Sequence, residues 1–139
     1  DTSVAMINQF REAGLNVIAD GRPSSDFWGN WINYPFSTTN WNGRPLGVQI
    51  LNLAYRSGVD WNEAHYNNPD FDALLDQANG LADPDARSEV MAKLQKMMQD
   101  DGVIIQPYWR GIFSHATDRV LGYQMHQAFE HHYETVSLA

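Results

Sequence analysis

The sequence predicts an α/β fold, a mixed β-sheet with flanking helices, and three observations carry the prediction. Apolar residues recur at helical spacing in five separate stretches. Runs rich in β-branched and aromatic residues, "YPFSTTNW", "VIIQPYWRGIFSH" and "YETVSLA", lie between and beyond them. Turn signals such as "DGRPSS" and "NGRP" separate the two kinds of segment.

Val4, Ile7 and Phe10 predict a first helix over residues 3–13, with Thr2 or Ser3 as its cap and Gly14 as its stop. "LNVIA" reads as a short strand and "DGRPSS" as a turn. Residues 26–33 suit a short helix capped by Ser24 or Ser25, Phe27 and Trp31 sharing one face. "YPFSTTNW" reads as a strand ending near Trp41, and Leu46, Ile50, Leu51 and Ala54 as a further helix. Asn68 is placed to cap a helix with Pro69 at its first position and Phe71, Leu74, Leu75 and Ala78 along one stripe. Asp83 and Pro84 repeat that start, Val90, Leu94, Met97 and Met98 form a second stripe, and Gly102 ends it. The two make a helical hairpin, with Glu89 and Lys93 in favourable i, i+4 order on its exposed side. "VIIQPYWRGIFSH", "RVLGYQMH" and "YETVSLA" then read as strands.

A chain of 139 residues, 43% apolar and 19% charged, is composed to fold as one domain. A net charge of −8 with only nine scattered basic residues excludes a nucleic-acid partner that depends on phosphate contacts. No apolar run approaches the roughly 20 residues that span a bilayer. Without cysteine there is neither disulfide nor thiolate chemistry. The chain opens within a helix–strand pattern instead of a basic-then-apolar leader, which reads as a segment of a longer protein.

Four stretches, "INQFREAGLNV", "PFSTTNW", "YNNPDFDALLDQANGLADPDARSEVMAKLQKMMQDDG" and "VIIQPYWRG" with "RVLGYQMH" beyond it, resemble the C-terminal part of the family 5 extracellular solute-binding proteins of ABC importers, the dipeptide, oligopeptide and nickel-binding class. The resemblance covers nearly the whole chain. It implies one lobe of a two-lobed, periplasmic-binding-protein-like fold. Residues 1–117 would belong to the C-terminal lobe, and residues 118–139 would be returning strands that join a first lobe outside this segment. It further implies non-catalytic capture of a peptide or related small solute in an interlobe cleft, docking on a membrane permease, a periplasmic or extracellular location, and no cofactor. Apart from that first lobe, the tail is expected either to fold back on this lobe or to pair with another chain through its unpaired strand edges.

The same resemblance points to "TTNWNGRPLG" as the recognition stretch. In peptide-binding relatives the Trp that closes this strand lies near the cleft, and an acidic residue soon after it meets the ligand's amino group. Here Trp41 matches and Arg44 stands at the acidic position. A guanidinium clasps carboxylates or phosphates, so the expectation moves to an anionic contact. Trp41 would supply an apolar wall, with Asn40 and Asn42 as neutral hydrogen-bonding partners. Trp31 and Tyr34, close to Trp28, form an aromatic cluster ahead of the strand, and His65 lies in the loop before the hairpin. For each residue, packing or solvation is the competing reading; for Arg44 it is an internal carboxylate pair. No catalytic group or metal set is expected. The rival from another class is a metal-dependent hydrolase built on His126, His131 and His132 with Glu130 and Glu134, although their spacing matches no H-E-x-x-H pattern. Asp100 and Asp101, at a helix end, read as solvated charges.

Overall fold

The computed structural model describes residues 2–126 and 128–139. Contacts divide the chain into two compact units, one ending at Asn40 and one running Trp41–Ala139. In the first, α1 (Thr2–Glu12) terminates at Gly14, whose φ of 85° lets the chain reverse. Leu15 N donates to Phe10 O and Gly14 N to Arg11 O, a Schellman closure of the last turn. Thr2 and Ser3, expected as caps, are helical residues instead. The short α2 (Ser24–Asn30) runs into a 3-10 turn at Trp31–Asn33, and its start is Pro23, not a serine cap. None of residues 2–40 is buried.

The second unit is built on α3 (Gly47–Ala54), α4 (Pro69–Gly80) and α5 (Pro84–Asp100). The α4–α5 hairpin forms for the reasons legible in its residues. Asn68 Oδ1 accepts from the backbone N–H groups of Asp70 and Phe71 at 3.0 and 3.3 Å, and Asp83 Oδ1 accepts from Ala86 N at 2.8 Å. The proline after each cap has no N–H to leave unsatisfied. At the far end Val103 N donates to Met98 O and Gly102 N to Gln99 O, with Gly102 at φ 64°. Phe71, Leu75 and Ala78 meet Val90, Leu94 and Met98, and α3 adds Val48, Leu51 and Ala54 to the same core. Burying each large side chain stabilises by about 1.5–3 kcal/mol. The exposed ion pair falls on Lys96 and Asp100, while Glu89 and Lys93 form none.

The mixed sheet does not form, and the α/β expectation is corrected to a mostly helical architecture. Among the described residues the strands are β1 (Val120–Leu121) and β2 (Ser137–Leu138), an antiparallel ribbon pairing Val120 with Leu138 and Leu121 with Ser137. "LNVIA", "YPFSTTNW" and "VIIQPYWRGIFSH" contain no strand, and "YETVSLA" divides between a 3-10 turn at Tyr133–Thr135 and β2. The physical reason is that β propensity measures fit to a pleated, half-covered surface and a hydrogen-bonded neighbour. These segments meet neither. Ile105, Trp109 and Phe113 are accordingly 58, 87 and 81% exposed.

Candidate functional site

Between α3 and α4 the chain makes an irregular loop, residues 55–68, that cannot satisfy its backbone through a helix or ladder. One side chain does so instead. Asn62, the buried polar residue among those described, donates from Nδ2 to Arg56 O at 3.2 Å and to Tyr66 O at 2.7 Å, while its Oδ1 accepts from Tyr66 N at 3.0 Å. Tyr66 then ties the loop to the far end of α5. Its hydroxyl donates to Asp101 Oδ2 at 2.6 Å, Asn68 Nδ2 donates to the same hydroxyl and carboxylate, and its ring meets Phe71 edge-on at 5.1 Å. Burial, and next the Asp101 carboxylate it serves, push the Tyr66 phenol up to about 12. Asp101 is exposed at the helix end, as expected, and also accepts from this tyrosine.

Held in this way, the loop lines two open grooves. One, of about 430 Å³, is lined by Asn52, Leu53, Gly58, Val59, Asp60 and Trp61. The other, of about 230 Å³, shares Gly58 and Val59 and adds Asn62, His65, Tyr66 and Asn67. His65 sits at φ 50°, a left-handed conformation costly for a residue with a Cβ, and its N–H donates to Asn62 O at 3.1 Å.

The expected site residues fall in both units. Trp31 and Tyr34 belong to the first, where Trp31 lies edge-on to Trp28 at 5.9 Å and Tyr34 stacks on Phe27 at 5.6 Å beneath the Arg22 guanidinium. Asn40 ends that unit and is exposed. In the second, Trp41 is half-buried against the helical core, donates from Nε1 to Glu63 Oε1 at 2.9 Å and packs on Trp61 at 6.0 Å. Asn42 and Arg44 are exposed. Arg44 Nη1 donates to the carbonyls of Asn42 and Gly43 at 3.2 and 3.3 Å, and no carboxylate of the described residues forms an ion pair with it. His65 lines the smaller groove. Sequence reading passed over Asn62, Trp61, Asp60 and Glu63; Trp61 and Glu63 take their roles from Trp41 in an earlier segment, Asn62 from its own loop, and Asp60 from the groove it lines.

In the tail, the two ring nitrogens of His132 face Glu130 at 3.8 Å and Glu134 at 3.0 Å, and His126 lies 4.0 Å from Glu130. The Glu134 backbone N–H and, next, the His132 ring hold the Glu134 carboxyl below its ordinary range. Among the described residues no three His, Asp or Glu side chains converge where a metal ion would sit. No helix of the described residues is long and apolar enough to cross a membrane. No family model, curated protein or solved structure matches the chain.

Proposed function

We propose that this chain captures a small solute, a peptide or a related compound, without transforming it, as part of the extracytoplasmic binding protein of an ABC importer. The reading rests on the hairpin motif and its neighbours in the sequence. Arg44 is the observation that carries it: an exposed guanidinium that, among the described residues, donates to two backbone carbonyls keeps most of its donors for an incoming anion. Half-buried Trp41, fixed by Glu63, supplies a rigid aromatic surface three residues away along the chain. The importer's permease is the partner, and the compartment is periplasmic or extracellular. The tail, whose own strands are two residues each, leaves ribbon edges through which copies would associate.

Calorimetric titration with Ala-Ala and with its C-terminally amidated counterpart tests the reading. The free carboxylate should bind and the amide should bind far more weakly, with Arg44→Ala losing roughly 10- to 100-fold for the acid alone, as expected for charge-assisted hydrogen bonds. Equal affinity of Arg44→Ala and the parent chain for Ala-Ala would refute the anionic contact, and no heat with either peptide would refute peptide capture by this chain.

A further inference from the structure

We propose that the groove beside Trp61 seats the head of a small organic ammonium ion, with the Trp61 indole as its platform and the Asp60 carboxylate as its counter-charge. The inference rests on the capture reading and names a ligand chemistry for a second part of the same unit. Of the polar side chains in this groove, Asn52 is fully committed. Its Nδ2 donates to Val48 O at 2.7 Å and Asn79 Oδ1 at 2.9 Å, and its Oδ1 accepts from Arg56 Nε at 3.1 Å and Asn79 Nδ2 at 3.2 Å. The nearest cation by sequence, Arg56, is itself taken up by Asp76 and Asn52. Asp60 has no ion-pair partner among the described residues, is exposed, and lines the same groove as Trp61.

Trp61 is 47% exposed yet braced, its ring 6.0 Å from that of Trp41, which is in turn anchored to Glu63. An indole face is the strongest side-chain seat for a cation, and a carboxylate at the rim of the same groove adds Coulombic attraction. A net charge of −8 favours the approach of cations to the whole chain. The same features turn other ligands away. An anion meets the Asp60 charge, and Asn52 has no hydrogen-bonding capacity left for a neutral polyol, which gains none of the Coulombic attraction.

The test is the indole N–H resonance of Trp61 in a two-dimensional nitrogen–proton spectrum, assigned by its loss in Trp61→Phe. Tetramethylammonium is titrated at constant ionic strength, with tert-butanol as its neutral counterpart. Saturable movement of the Trp61 resonance by the cation alone is expected, weakened roughly tenfold in Asp60→Asn, with that variant melting like the parent. Equal movement by tert-butanol, a response that never saturates, or an unchanged midpoint in Asp60→Asn overturns the proposal. A chain that ignores tetramethylammonium but still binds Ala-Ala through Arg44 defeats this groove and leaves solute capture standing; a chain that binds neither defeats both.

Discussion

Replacing Asn62 by Ala removes one buried side chain and, with it, three hydrogen bonds to backbone groups of the 55–68 loop. At about 1 kcal/mol net for each bond the loss comes to about 3 kcal/mol. It rises where the stranded carbonyls of Arg56 and Tyr66 stay out of water, and falls where the loop relaxes enough to hydrate them. Urea unfolding should therefore show a lower midpoint with an unchanged slope, because the helical core of Phe71, Leu75 and Leu94 is untouched. Asn62→Asp separates the donors from the acceptor. It keeps an oxygen for Tyr66 N but turns a carboxylate toward two carbonyls that had received N–H bonds, so at neutral pH it should be at least as damaging as Ala. Because the ionised form is disfavoured in the folded chain, the introduced carboxyl has its folded pKa raised. The penalty should therefore shrink as the pH falls through that value and the protonated acid donates to one carbonyl. A loss under about 0.5 kcal/mol for Asn62→Ala, or an Asn62→Asp variant indifferent to acid, would show that Asn62 does not hold this loop.

Two further outcomes follow from the geometry. A Cβ on Gly122 would lie 2.0 Å from Thr135 O at a φ of 77°, so Gly122→Ala should open the β1–β2 ribbon and speed amide exchange at Val120 and Leu138 while leaving the urea midpoint of the helical core in place; unchanged exchange would contradict the close approach. Tyr55, 6% exposed, has its phenol pushed from 10.0 to about 12 by burial and then by the Glu63 charge. Its stabilising contribution is intact below about pH 10 and is lost as the pH rises toward 12, at most about 3 kcal/mol. Midpoints measured from about pH 9 to about pH 12 should fall more steeply for the parent than for Tyr55→Phe, and parallel curves would dismiss the effect.

The α4–α5 hairpin was legible residue by residue. Asn68 and Asp83 cap through bonds that reach only two or three positions along the chain, Pro69 and Pro84 follow each cap, and Gly102 closes the last turn. Such interactions are local, so they are written in neighbouring letters. The apolar stripes were legible for the same reason, since a helix returns every third or fourth residue to one face. "LNVIA", "YPFSTTNW" and "VIIQPYWRGIFSH" carry equally clear β-branched and aromatic signals, yet a strand needs a neighbour, and no short window of sequence says whether one is present. The same distinction runs through the candidate site. Recognition at Trp41 and Arg44 is what the family resemblance implies. Asn62 holds the loop through bonds only four to six positions away, which its residue type does not announce; that Tyr66 reaches Asp101 across 35 positions, and that Asp60 and Trp61 line one groove with α3, depends on contacts made when the helices pack.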